Sequence, residues 1–112
     1  MSSNLGSAAA VFAALGDPTR LAVLDRLSTI GPLSITRITA GTNISRQAIT
    51  KHLHVLADAG LVRDVQRGRE RYWEFEPVQL DRARRSLDQI ARQWDQSLAR
   101  LKSFVEIDDR PT

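Results

Sequence analysis

From Gln79 to Glu106 the chain runs for 28 residues without a glycine or a proline. Within that run Leu80, Ala83, Leu87, Ile90, Trp94, Leu98, Leu101 and Val105 recur three or four positions apart, which places them on one stripe of an α-helix. At about 1.5 Å per residue the helix would extend ~42 Å, more than the diameter of a domain built from the roughly seventy residues before it. Its own chain cannot cover such a stripe, so part of it needs another chain.

The segments before it are short and well punctuated. "SAAAVFAALG" suits an Ala-rich helix ending at Gly16, with residues 1–6 frayed. In "DPTRLAVLDRLS", Asp17 is a good N-cap, Pro18 fits the first turn, and Leu21, Leu24 and Leu27 supply an apolar face for a helix over about 18–28. After the break "TIGPL", Ser34 caps a short helix through residue 40, and Ser45 caps another that runs to Ala59 before Gly60. "LVRDVQR" and "ERYWEFE" are rich in strand-forming residues and flank a Gly68-Arg69 turn, so residues 61–76 read as a two-stranded hairpin closed by Pro77. The expected class is mainly α with a small β-hairpin, in the order ααααββα. One domain spans 7–106, including the long helix 79–106, between a flexible start at 1–6 and a flexible tail at 107–112.

Composition closes several routes to function. With no cysteine there is no disulfide, thiolate metal site or thiol nucleophile. No run of ~18 apolar residues exists to span a bilayer, and the N-terminus lacks a secretory pattern, so a cytoplasmic protein is expected. Net charge is +3, yet fourteen of the sixteen basic residues are arginine. That hints at an anionic partner. Residues 61–76 carry four basic and four acidic groups, so any anion-binding surface is local rather than global.

The segment "SRQAITKHLHVL" holds both histidines, His52 and His54. Turning about 100° per residue from Ile49, the apolar Leu53 and Leu56 stay within ~40° of it and define the buried side. Thr50, His54, Gln47 and Lys51 fall on a strip from about 100° to 200°, with Arg46 at its edge near 60°. His52 lies at about 300°, beside the apolar stripe, so one helix cannot direct both imidazoles at one ion. These polar side chains are instead the types that read base edges in a major groove: Gln pairs with adenine, Arg and Lys with guanine, and Thr meets a thymine methyl. Without further context the same strip is an ordinary solvated helix face.

The stretch "LGDPTRLAVLDRL", followed by "SRQAITKHLHVLADAGLVRDVQRGRERYWEF", resembles the ArsR/SmtB family of winged helix-turn-helix transcriptional repressors. The likeness carries D-P-T-R, the pattern S-x-x-x-x-x-K-H-L-x-x-L-x-x-A-G-L-V, and the G-R turn with aromatics after it, over about residues 8–105. The resemblance implies a helix-turn-helix made by residues 34–40 and 45–59 and a wing at 61–76. It also implies dimerisation through the terminal helices, with Leu87, Ile90, Trp94, Leu98 and Leu101 on the seam. By matching positions, double-stranded operator DNA would be met by Ser34, Arg37, Ser45, Arg46, Gln47, Thr50, Lys51 and His54, and by Arg67, Gly68 and Arg69 at the wing tip. His52 takes the family's K-H-L position and is expected to pack as a structural side chain.

Departures narrow the reading further. Metal-sensing relatives use cysteines before the recognition helix, or Asp and His on the terminal helix; "ITRITAGT" has no cysteine and the terminal helix no histidine. Asp81, Asp88 and Asp95 recur every seven residues, a spacing usual for a solvated coiled-coil flank. Neither a metal nor another cofactor is expected, and the chain looks like the branch without the cysteine sensor. No nucleophile-base pair points to an enzyme, since Ser45 is better explained as a helix cap. A protein-interaction module using the long helix, or a repressor answering to a metal or an organic small-molecule effector at the dimer seam, stays open as the alternative.

Overall fold

The computed structural model describes residues 2–108. The order is α1 (Ser2–Leu15), α2 (Pro18–Ile30), β1 (Leu33–Ser34), α3 (Ile35–Ala40), α4 (Arg46–Asp58), β2 (Val62–Arg67), β3 (Glu70–Phe75) and α5 (Pro77–Asp108). The sheet has three strands in the order β1-β3-β2, both pairings antiparallel. The two-stranded expectation is corrected by β1, where Leu33 pairs with Trp73 and Ser34 with Tyr72. Two residues are too few to show an alternating pattern, so this strand exists through its partner rather than its own sequence.

The caps behave as the sequence indicates. Asp17 accepts a hydrogen bond from the Arg20 amide at 2.9 Å, Ser34 from Arg37 at 3.3 Å and Ser45 from Ala48 at 3.1 Å. Each satisfies an amide that the first helical turn leaves without a partner. At its far end α4 closes with the Gly60 amide donating to the Ala57 carbonyl and the Leu61 amide to the Leu56 carbonyl, both at 2.9 Å. This paired closure needs a left-handed residue at Gly60, whose φ is +77°. Leu61, thrown inward by it, is fully buried beside Leu56.

Several boundaries differ from the sequence reading. α1 starts at Ser2, so residues 2–6, expected to be frayed, are helical; only Gly6 among them opposes helix, at a cost of about 1 kcal/mol. Leu21 is exposed, and α2 buries Val23, Leu24 and Leu27 instead. Pro77 does not close the hairpin but opens α5, where a first-turn proline loses no helical hydrogen bond. α5 reaches Asp108, past the expected end at 106, and the remainder of the expected tail, 109–112, lies outside the described residues.

One apolar core joins the elements: Val11 and Ala14 of α1, Leu27 of α2, Ile38 of α3, Ile49, Leu53 and Leu56 of α4, Leu61, Val62, Trp73 and, from α5, Ala83. α1 packs along the beginning of α5, and past that contact the long helix leaves the domain. The molecule measures 77 × 32 × 21 Å, with a radius of gyration of 20.0 Å. A compact chain of this length would have about 13 Å. Among the described residues no single helix is long and apolar enough to cross a membrane.

A β-carbon at Gly60 would sit 2.6 Å from Gln79 Cγ, in a backbone conformation unfavourable for other L-residues. Gly60→Ala should therefore lower unfolding stability by about 1–3 kcal/mol in urea titrations. Adding Gln79→Ala should restore the steric part of that loss but not the backbone part.

Candidate nucleic-acid interface

Burial of Ile49, Leu53 and Leu56, each 0% exposed, fixes the rotation of α4. The opposite side then presents Arg46, Gln47, Thr50, Lys51 and His54, which line one shallow groove on the surface. These are the five side chains that helical geometry groups from the sequence. The Thr50 hydroxyl donates to the Arg46 carbonyl at 2.8 Å, so its proton is committed to its own helix. The His54 ring stands 6.1 Å from that of Trp73, tilted by 55°, and leans towards the wing.

A second cleft runs between the helix-turn-helix and the wing. Ser34, Arg37, Arg46, Arg69, Arg71 and Tyr72 line it, together with Glu70 and three neighbours from residues 32–36. It gathers four of the predicted residues, one from each of α3, α4 and the wing tip plus the Ser34 cap. Arg71 and Tyr72 were not among the predicted contacts. An alternating strand gives no indication of which of its residues flank a neighbouring helix, so only the fold reveals them.

The wing separates its charges into two groups. On the strands they pair with each other: Arg63 contacts Glu74 at 2.5 Å and Glu76 at 3.3 Å, and Arg71 contacts Asp64 at 3.3 Å. At the tip, Gly68 has φ +63°, which allows the two-residue turn. Arg67 lies over the Tyr72 ring with its guanidinium carbon 5.9 Å from the ring centre. Arg69 makes no ion pair among the described residues and projects into the cleft.

The two histidines part as geometry requires. His54 is exposed in the groove, while His52 is half-buried on the far side of α4, with Nδ1 3.4 Å from Arg20 Nη1 and 3.8 Å from Asp17 Oδ2. The hydrogen bond from the Arg20 amide holds the Asp17 carboxyl below its ordinary value of 3.8. Among the described residues no three His, Asp or Glu side chains lie close enough to share a metal ion. Asp81 and Asp88 on α5 pair with Arg84 and Arg85 at 3.0–3.7 Å.

Two arginines that the composition offered to an anion are internal ties. Arg20 donates to the Ala14 carbonyl at 2.6 Å and the Ala13 carbonyl at 3.3 Å, at the end of α1. Arg26 donates to Ile38 at 2.8 Å and Arg37 at 3.1 Å, at the end of α3. Both supply side-chain donors to carbonyls at a helix C-terminus, where the regular ladder runs out; the Ala13 carbonyl also accepts from the Gly16 amide at 3.2 Å. The residues tied by Arg26 are eleven and twelve positions away, beyond any local pattern.

A family described as a helix-turn-helix domain matches residues 15–65. The HTH-type transcriptional regulator Rv2034 of Mycobacterium tuberculosis is 33% identical over 93 residues, 83% of each chain. The transcriptional repressor SdpR of Bacillus subtilis is 34% identical over 70 residues, 62% of this chain and 77% of its own. Among solved structures, an ArsR-like transcriptional regulator from Rhodococcus sp. RHA1 superposes with a TM-score of 0.81 at 36% identity, covering 91% of this chain and 95% of its own. A homodimeric winged helix-turn-helix DNA-binding domain from Mycobacterium bovis, Mb0332, gives a TM-score of 0.64 at 27% identity, covering 82% and 83%.

Tyr72 is the only tyrosine, so its ionisation can be followed by ultraviolet absorbance. It donates its hydroxyl proton to the Glu70 carboxylate, which also repels the phenolate, and both effects hold its pKa above the ordinary 10.0. Glu70→Gln should move the midpoint down towards 10.0. An unchanged midpoint would mean that the pair does not form in solution.

Proposed function

The chain belongs to the ArsR-type family of winged helix-turn-helix transcriptional regulators, and from that membership we propose how its exposed helix face engages DNA. The protein is a DNA-binding transcriptional repressor without cysteine; its relatives are transcriptional regulators, SdpR among them a repressor. In our reading α4 enters the major groove, the wing tip follows the adjoining backbone, and two subunits joined along α5 address the two halves of a palindromic operator. The observation that carries this is the single groove formed by Arg46, Gln47, Thr50, Lys51 and His54 on the face opposite the core.

Each group has work suited to its chemistry. Gln47 offers a donor and an acceptor to an adenine edge, and Arg46 and Lys51 reach guanine or phosphate. Thr50, with its hydroxyl turned back to the helix, presents its methyl outward. Arg37 and Arg69, on opposite walls of the second cleft, take a phosphate strand between helix and wing. Dimer half-sites would then lie ~10 base pairs apart, or a multiple of that.

The dimer seam follows from the stripe on α5. Leu87, Trp94, Leu98 and Leu101 are 44–63% exposed in the single chain, and Ile90 is half-buried. Leaving that much contiguous apolar surface in water is unfavourable at about 25 cal/mol per Å², which favours pairing with a second copy.

Two substitutions separate recognition from general affinity. Gln47→Ala should cost about 1–3 kcal/mol on the preferred duplex and relax base preference, whereas Arg69→Ala should weaken all duplexes evenly and lower the salt slope by about one. Equal losses on every sequence for both variants would contradict this division. Leu98→Asp should give folded monomers by sedimentation with much weaker operator binding; a dimeric variant would remove Leu98 from the seam.

A further inference from the structure

We infer that Arg20 and His52 form a joint that fixes the tilt of the DNA-reading helix relative to the dimer helices, making Arg20 a positioning residue for operator recognition. The inference rests on the reading of α4 as the DNA-contacting helix.

α1 and α2 meet at a 98° corner, and α1 is the helix that lies along α5. At this corner the regular ladder of α1 ends, and of its last carbonyls Ala13 accepts from the Gly16 amide at 3.2 Å. One guanidinium gathers three contacts there: Nε to the Ala14 carbonyl at 2.6 Å, Nη2 to the Ala13 carbonyl at 3.3 Å, and Nη1 to Nδ1 of His52 at 3.4 Å. Asp17, held at the corner by capping α2, stops with Oδ2 3.8 Å from the same imidazole nitrogen, outside hydrogen-bond range, which leaves that nitrogen to Arg20.

The guanidinium is a planar fork with fixed donor directions, so anchoring two of its nitrogens on α1 determines where the third points. That third donor meets α4 on the side away from the groove, since His52 and His54 diverge by about 160° around the helix. α4 is therefore held from behind by the helix that packs along the dimer stripe. Accepting from Arg20 requires a bare Nδ1, which puts the imidazole proton on Nε2. His52 is only 23% exposed, where such a contact is less screened than on the open surface.

The consequence is specific to a two-fold reader. Both recognition helices must reach successive grooves at a fixed separation, and a tilt error in one subunit is repeated in the other. A lysine at position 20 reaches one α1 carbonyl at most and loses the fork.

The test compares operator affinity across a salt series, dimer sedimentation, and the imidazole ¹⁵N spectrum for the parent, Arg20→Gln, Arg20→Lys, His52→Leu, His52→Asn and the double variant Arg20→Gln/His52→Leu. Arg20→Gln and His52→Leu should each weaken binding about tenfold, and the double variant no further, because either change uncouples α4 from α1 at the same joint. The salt slope and the dimer should be unchanged, since no phosphate contact or seam residue is lost. His52→Asn, whose Oδ1 can replace Nδ1 as acceptor, should stay within about threefold of the parent, and Arg20→Lys should fall between the parent and Arg20→Gln.

Full affinity in both Arg20→Gln and His52→Leu would overturn the joint, as would additive losses in the double variant. A salt slope reduced by about one in Arg20→Gln would place Arg20 on a phosphate instead. The parent ring should show the Nε2–H tautomer, a readout that needs no DNA; the Nδ1–H form overturns the contact directly. A parent dimer that binds no DNA overturns the reading of α4 and the inference with it, whereas normal parent binding with unaffected variants overturns the joint alone.

Discussion

The face that α4 turns outward depends on the burial of three side chains. Ile49, Leu53 and Leu56 sit on one side of α4 and are completely enclosed, a burial of about 1.5–3 kcal/mol each. Because side chains on a helix follow one another by about 100°, locking these three locks the direction of all the others. Arg46, Gln47, Thr50, Lys51 and His54 face outward together for that reason alone, and His52 is turned back towards Arg20 and Asp17. A quarter-turn of α4 would expose Leu53 to water and carry Gln47 away from the groove. A stable core and a defined outward face of α4 are thus one constraint seen from two sides.

The second constraint is length. α5 holds 32 residues, about 48 Å of helix, and α1 covers only its beginning. Ala83 is buried against the domain, while Trp94, Leu98 and Leu101 on the same stripe stand in the open. Continuity of one stripe from a covered to an uncovered part links the folding of the single chain to its pairing with a second. In the proposed dimer the α5 helices become the frame on which the α4 helices are mounted, and the corner between α1 and α2 is where the chain that packs on α5 meets α4.

Much of this was legible in the sequence because the signals are local. Three-and-four spacing marked α4 and α5, and Asp17, Ser34 and Ser45 cap where their chemistry says they should. Gly68 and Arg69 marked the wing turn, and helical angles alone separated His54 from His52. What was not legible depends on distant partners. β1 is a strand only because Trp73 and Tyr72 lie beside it. Pro77 looks like a terminator until the direction of α5 shows it to be a first-turn residue. Arg20 and Arg26 look like free cations in a count of charges, yet each spends its donors on the end of another helix. Arg71 and Tyr72 join the basic cleft only because the wing folds back towards α3. Local propensity cannot report contacts of this kind, and they are the ones that fix how the helices sit against one another.

The most direct test of the account is to select duplexes from a random pool with the purified protein and to measure, on the selected sequence, subunit stoichiometry and affinity against salt. The account predicts an inverted repeat with half-sites ~10 base pairs or a multiple apart, two chains per duplex, and an affinity that falls steeply with salt as phosphates regain their counterions. Enrichment of no sequence, one chain per duplex, or an affinity indifferent to salt would contradict it.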